Sequence, residues 1–293
     1  MDKVVVIGGA GFVGGHVVEE LTRRGYKVTV FDKVGCDQSS GGYELVLGDM
    51  LDLQALSNAV EKAKYVYHFG GVADIAQAKA NPFKSIEDNV LGVATALEAC
   101  RNTRVDRFLY ASTVYVYSPY GSFYRASKQA AETLIEAYSE QFKLDHTLLR
   151  YGSLYGPRAQ EWNGLRKYVS QVLKEGRLVY EGTGQEMREY IHVRDAARLS
   201  VDVLGNDHRN EAVTLTGTQI LNSNELAEMI FEIAGIEKNV TFTGGDRDGE
   251  HYRMTPYRFS PKRARKLIPS EFVDLGQGIL EIFEEVYKES DST

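Results

Sequence analysis

Val4-Val5-Val6-Ile7-Gly8-Gly9-Ala10-Gly11-Phe12-Val13-Gly14 joins four branched aliphatic residues to a glycine-rich turn. An apolar run without alternation suits a strand covered on both faces, because a half-exposed strand shows a polar residue at every second place. The glycines permit a tight turn and let the free amides at the start of the next helix approach an anionic group. Gly9, Gly11 and Gly14 fit the G-x-G-x-x-G spacing, while Gly8, Gly11 and Gly14 fit a wider G-x-x-G-x-x-G spacing; both readings stay open.

Outward from this stretch, short β-branched runs alternate with helical patterns, as parallel-sheet βαβ units require. Strands are expected over 4–7, 27–31, 44–47, 65–68, 107–111 and 147–149, and helices over 12–24, 53–62, 82–101 and 124–142. The fold class is therefore α/β, a doubly wound parallel (Rossmann) sheet with a smaller C-terminal substrate-binding lobe. From Gly156-Pro157 onward the pattern loosens, yet 194–204 and 212–215 look regular enough to rejoin the sheet. The expected division is 1–155, rejoined by about 190–220, for the dinucleotide-binding domain, with 156–189 and 221–293 in the smaller lobe.

The second strand ends in Phe31-Asp32, 21 positions after Gly11. A carboxylate at about this offset accepts hydrogen bonds from ribose hydroxyls and repels a 2′-phosphate, so NAD is favoured over NADP. Lys33 beside it softens that preference.

Tyr124 and Lys128 stand at i and i+4, one turn apart on one helix face. An ammonium nearby, together with an oxidised nicotinamide, is expected to lower the phenol from its usual value of about 10 and make it a general base. With 18 tyrosines in the chain the spacing alone carries little weight; its place after the fifth strand gives it meaning. Ser112-Thr113 falls at the carboxyl end of that strand, where ligands sit in open α/β sheets, and a hydroxyl there can relay a proton to Tyr124.

Hydrophobic residues make up 43% and charged residues 26% of the 293, which is ordinary for a compact globular chain. A formal net charge of −7 offers no basic field for nucleic acid, and no apolar run approaches the roughly 20 residues that span a bilayer. Met1-Asp2-Lys3 leads straight into a strand, so a cytoplasmic protein is expected. Cys36 and Cys100 stand too far apart for a cysteine-rich metal site, and the six histidines show no ligand spacing; structural roles are expected for them, and no metal.

The chain resembles the extended short-chain dehydrogenases of the NAD-dependent nucleotide-sugar epimerase/dehydratase family, of the UDP-glucose 4-epimerase-like kind, over essentially its whole length. The resemblance rests on the glycine turn, Gly48-Asp49-Met50, Tyr67-His68-Phe69-Gly70-Gly71, Asn89, Ser112-Thr113-Val114-Tyr115 and Tyr124-Arg125-Ala126-Ser127-Lys128. It continues through Leu149-Arg150-Tyr151-Gly152-Ser153-Leu154-Tyr155-Gly156-Pro157-Arg158 and Arg188-Glu189-Tyr190-Ile191-His192-Val193. It implies cofactor contacts from Gly8, Gly11, Phe12, Val13 and Gly14, from Asp32 and Lys33, from Asp49 and Met50 at the adenine, and from Phe69, Gly70 and Gly71. Asn89 would steady the cofactor from its helix, and Tyr124, Lys128 and Tyr151 would lie near the nicotinamide. Ser112, Thr113 and Ser153 would face the substrate, Arg188 would hold its diphosphate, and Arg158 and Arg247 are weaker arginine candidates. The resemblance also implies a homodimer paired through the helices over 82–101 and 124–142.

Two departures narrow the chemistry. Dehydratases and decarboxylases of this family carry an acidic residue just after the catalytic Thr or Ser, whereas Val114 and Tyr115 follow here, which favours epimerisation or simple redox. Only 11 positions separate Thr113 from Tyr124, a shorter loop than relatives have, so a more open pocket is expected. The resemblance thus implies a 4-epimerase working through a transient 4-keto sugar; the alternatives are a 4-dehydrogenase or 4-keto reductase, and a non-catalytic NAD-binding regulator.

Overall fold

The computed structural model describes residues 1–35, 42–244, 251–257 and 264–291. Cys36 and Arg247 lie outside the described residues. In chain order the strands are β1 Lys3–Ile7, β2 Lys27–Asp32, β3 Tyr43–Leu47, β4 Tyr65–His68, β5 Arg107–Thr113, β6 Asp145–Tyr151 and β7 Ser153–Tyr155, followed by β8 Leu178–Tyr180, β9 Met187–His192, β10 Glu211–Leu215, β11 Ile220–Asn222, β12 Val240–Phe242 and β13 Ala264–Leu267. The helices are α1 Phe12–Arg23, α2 Leu53–Val60, α3 Ile75–Ala80, α4 Pro82–Ile86, α5 Gly92–Thr103, α6 Ser122–Phe142, α7 Gly164–Glu175, α8 Val193–Asp202, α9 Ser223–Ala234 and α10 Leu275–Asp291.

The Val-Val-Val-Ile run is covered on both sides, as its lack of alternation requires. Val4 and Val6 face one core with Val17 and Leu21 of α1 and Ala196 and Leu199 of α8. Val5 and Ile7 face the other with Leu56 of α2, Leu97 of α5 and Ile135 of α6. All four are at most 1% exposed, and each contributes roughly 1.5–3 kcal/mol of apolar burial.

The main sheet runs β13-β10-β6-β5-β4-β1-β2-β3, and every neighbouring pair in it is parallel. From β1 the chain builds outward to β2 and β3, then returns to place β4 on the other side of β1. This reversal leaves a crevice beyond the carboxyl ends of β1 and β4, the place where ligands bind in such sheets. β10 rejoins the sheet as expected, and β13 extends it; the short, charged Ala264-Arg-Lys-Leu267 gives too little pattern to be read as a strand.

The remaining strands form a three-stranded sheet, β11-β9-β7, and a two-stranded one, β12-β8. With α7, α9 and α10 they enclose a separate apolar cluster that includes Val169, Ile230, Phe231 and Ile279. The helix expected over 82–101 is interrupted by a π-helical turn at Glu87–Leu91, which carries Asn89. No helix among the described residues is long and apolar enough to cross a membrane, and no group of three or more potential metal ligands occurs among them.

Candidate active site

A large cleft of about 1360 Å³ runs from the glycine turn, past the ends of β4 and β5, to β9 and the segment 251–253. Pockets that take one drug-sized ligand span roughly 300–1,000 Å³, so this cleft is larger than such a ligand needs.

Its floor at one end is the turn after β1. Gly8 has φ +76° and donates its N–H to the Phe31 carbonyl at 2.9 Å; a Cβ there would sit 2.5 Å from Gly70 N. A Cβ on Gly14 would lie 2.3 Å from the Gly8 oxygen, so the turn closes only with glycine at both positions. Gly11 caps α1 without any side-chain hydrogen bond, which leaves the first amides of the helix to a ligand, and Gly11, Phe12, Val13 and Gly14 line the cleft. Asp32 accepts from Ala10 N at 3.0 Å and from Val34 N at 3.2 Å, so its carboxylate is fixed beside the turn. Lys33 lines the same end.

Asp49 accepts from Leu51 N at 2.9 Å and Met50 packs its sulfur against Gly70 and Gly92; both residues line the cleft, as do Phe69, Gly70 and Gly71. A donor-capped helix start, a fixed carboxylate and an apolar slot at Met50 fit the pyrophosphate, ribose and adenine of NAD.

Asn89 has a different position. It does not line the cleft: its amide nitrogen donates to the Val72 carbonyl and Ser127 Oγ, both at 2.9 Å, and its oxygen accepts from Val72 N at 2.8 Å. It pins the loop after β4 to α6. Tyr151 contributes its ring to the wall, while its hydroxyl donates to Ser200 Oγ at 2.6 Å on the far side of the sheet.

Thr113 ends β5 and its hydroxyl oxygen accepts from Tyr115 N at 3.3 Å, starting a 3-10 turn over Val114–Tyr117. Tyr124 and Lys128 stand on the first turns of α6, so Thr113, Tyr124 and Lys128 meet on one wall of the cleft. Lys128 Nζ donates to the Ala111 carbonyl at 2.8 Å, lies 4.7 Å from the centre of the Tyr110 ring and 5.9 Å from that of Tyr124.

The expected lowering of the phenol is not what the protein alone produces. Burial pushes Tyr124 up to about 12, opposed by a hydrogen bond with Thr113, and burial pulls Lys128 down to about 8. An ammonium turned toward Ala111 does not offset the loss of water around the phenol, so the lowering requires a further positive charge in the cleft.

Ser112 also lines the cleft, but its hydroxyl donates to Glu132 at 2.5 Å. Glu132 is gripped by Arg150 through two hydrogen bonds of 2.9 and 2.7 Å, and Arg150 donates to the Tyr117 hydroxyl at 2.6 Å. Ser153 and Arg188 reach the opposite end, where the Arg188 guanidinium sits 4.4 Å from the centre of the Tyr252 ring. Arg158 is excluded from the site: it pairs with Glu19, donates to His16 and is tied through its backbone to Glu285.

Sequence reasoning missed His251, Tyr252 and Trp162, all of which line the cleft. His251, for which a structural role is expected, shares a 2.7 Å hydrogen bond between its Nδ1 and the Tyr115 hydroxyl. Nothing in the spacing of these residues marks them, because 136 positions separate Tyr115 from His251. The structural expectation suits His68 and His192, which burial holds neutral, down to about 3.

Sheet order, glycine turn and Thr-Tyr-Lys wall together define a dinucleotide-binding α/β enzyme. The chain belongs to the NAD dependent epimerase/dehydratase family, whose model matches residues 4–215. It is 26% identical over 302 residues to a putative UDP-glucose 4-epimerase of Methanocaldococcus jannaschii, covering 94% of this chain and 95% of that one. It is 28% identical over 233 residues to the dTDP-D-glucose 4,6-dehydratase of Dictyostelium discoideum, covering 67% of this chain but only 54% of that longer one. Among solved structures, the UDP-glucose 4-epimerase of Thermus thermophilus in complex with NAD superposes with a TM-score of 0.79 at 25% identity, over 97% of this chain and 99% of that one.

Proposed function

We propose that the chain is an NAD-dependent nucleotide-sugar 4-epimerase. The observation that carries this reading is the meeting of Thr113, Tyr124 and Lys128 on the wall of a cleft that joins the glycine turn to Arg188. Val114 and Tyr115, rather than a carboxylate, follow Thr113, and the nearby Glu132 is consumed by Arg150 and Ser112. Elimination of water therefore lacks its acid, although dehydratases are among the relatives.

Gly8, Gly11, Phe12, Val13, Gly14, Asp32, Asp49, Met50, Gly70 and Gly71 would hold NAD, which would supply the hydride acceptor and donor and, in its oxidised ring, the positive charge that Tyr124 needs. Tyr124, once ionised, would take the proton of the sugar C4 hydroxyl, with the Thr113 hydroxyl bridging, as the C4 hydride leaves for the oxidised cofactor; when the hydride comes back on the opposite face of C4, Tyr124 would return the proton to the C4 oxygen. Lys128, 5.9 Å from the centre of the Tyr124 ring, would add to the charge that favours the phenolate once the oxidised cofactor is bound. Arg188 anchors a diphosphate while the keto sugar turns, a planar guanidinium being suited to that group. Asn89 acts by positioning the loop that carries Gly71, and Arg247 remains a candidate for the same diphosphate.

A homodimer belongs to this reading. Phe83, Ile86 and Leu91 are exposed on α4 and the π-helical turn, at 77%, 49% and 54%, and these elements pack beside α6, so exposed apolar side chains stand where a partner would cover them. The cytoplasm is the proposed location.

The test is whether the purified protein carries NAD and interconverts UDP-glucose and UDP-galactose with no cofactor added. Turnover that consumes added NAD would favour a dehydrogenase. Bound NAD without turnover of any nucleotide hexose would favour a regulator.

A further inference from the structure

The cleft between Tyr124 and Arg188 is spanned by aromatic rings. The Tyr115 ring meets Tyr124 edge-on, with centres 6.1 Å apart and planes at 76°. On its other side it leans against Tyr252 at 4.6 Å, and Tyr252 in turn carries the Arg188 guanidinium at 4.4 Å. Three features hold Tyr115 in place. Its hydroxyl is bonded to His251 Nδ1 at 2.7 Å, its backbone N–H to Thr113 Oγ1 at 3.3 Å, and its ring lies over Gly121, where a Cβ would approach to 2.8 Å. Gly121 has φ +99°, so the short loop before α6 both turns there and makes room for the ring.

A substrate whose diphosphate lies at Arg188 and whose reacting hydroxyl lies at Tyr124 must place everything between them along this ladder. From these placements we infer that the half-buried Tyr115 is the sugar-binding wall of the cleft, backed by the buried Tyr252, with His251 as the residue that orients Tyr115. The ligand part it takes is a hexopyranose ring. Aromatic faces carry negative charge density that attracts the polarised C–H groups of a sugar face, and rings fixed in advance lose little entropy on binding. The side chain two places after Thr113 thus becomes a packing surface where a family dehydratase would have an acid. The inference rests on the nucleotide-sugar reading above.

The test is calorimetric binding to the NAD-loaded protein, with UDP, dTDP, GDP and CDP each compared with its glucose conjugate. For the nucleotide that binds best, Tyr115→Leu should weaken the glucose conjugate about tenfold while changing the free diphosphate less than about twofold. Tyr115→Phe, which keeps the ring but drops the His251 bond, should cost about threefold on the conjugate alone. Loss of the diphosphate and its conjugate in equal proportion, or no loss of either, would overturn the wall. Saturation-transfer NMR on the wild type makes the test independent of how the variants fold. Irradiated aromatic protons should pass magnetisation to the sugar-ring protons, and transfer confined to the nucleoside would overturn the inference. A wild type that binds none of the eight compounds would bring down the nucleotide-sugar reading itself, and the wall with it.

Discussion

The Lys128 ammonium is bonded to the carbonyl oxygen of Ala111 at 2.8 Å and stands 5.9 Å from the centre of the Tyr124 ring, so the two residues share a helix face without touching head to head. In the buried cleft this arrangement leaves the phenol up at about 12 and the ammonium down at about 8. On the proposed reading, Tyr124 would act as a base only once positive charge enters beside it, which would couple proton removal to an oxidised cofactor.

Tyr124→Phe should abolish turnover, by at least about a thousandfold, while leaving NAD bound. In the wild type, activity should rise with pH along a single limb set by the phenol, because only the ionised form accepts the proton. That limb should fall well below pH 12 in the NAD⁺-loaded enzyme; a limb unmoved by NAD⁺ would contradict the coupling. Rate profiles of wild type and variant with a nucleotide hexose measure both.

Lys128→Met should make the cofactor-free protein more stable at neutral pH, by up to about 3 kcal/mol. The sign follows from the proton count. Between about pH 8 and 10.5 the unfolded lysine still holds its proton whereas the buried one has lost it. Wild-type stability therefore rises with pH through that window and the gap to the variant closes. Urea unfolding at pH 7 and pH 10 checks it; a variant less stable at pH 7 would show that the Ala111 hydrogen bond outweighs the cost of burying the charge.

Glu132→Ala should destabilise the protein by about 3–5 kcal/mol, since it strands the Arg150 guanidinium at 8% exposure and orphans the Ser112 hydroxyl. The double change Glu132→Leu with Arg150→Met should lose much less. Chemical denaturation of the two variants separates a buried pair that is needed only as a pair from one that adds net stability.

Leu91→Glu, at the end of the π-helical turn that follows the exposed Phe83 and Ile86, should convert a dimer to a monomer with little loss of folding stability. Light scattering at micromolar concentration reads the change. A wild type already monomeric there would remove the dimer from the proposal.

Local spacing made much of this protein legible. The unbroken Val4-Val5-Val6-Ile7 run announced a strand buried on two faces, and the glycines with Asp32 announced the dinucleotide end of the cleft, because turn geometry and strand periodicity act over few residues. The same logic placed Thr113 at a strand end and Tyr124 with Lys128 on one helix. It could not find the partner of Ser112, since Glu132 reaches it from α6, 20 positions further along the chain, nor the role of Asn89, whose amide serves Val72 and Ser127 rather than the cleft.

By itself, then, the sequence determined the doubly wound sheet, the family and the chemical types of the cleft residues, all of which follow from short-range pattern. Tertiary structure alone decided the direction in which Tyr124 and Lys128 shift, because desolvation depends on what packs around a group rather than on its neighbours in the chain. It also decided that Tyr115, His251 and Tyr252 form one surface, because contacts between residues 136 positions apart exist only once the sheet and the smaller lobe have folded against each other.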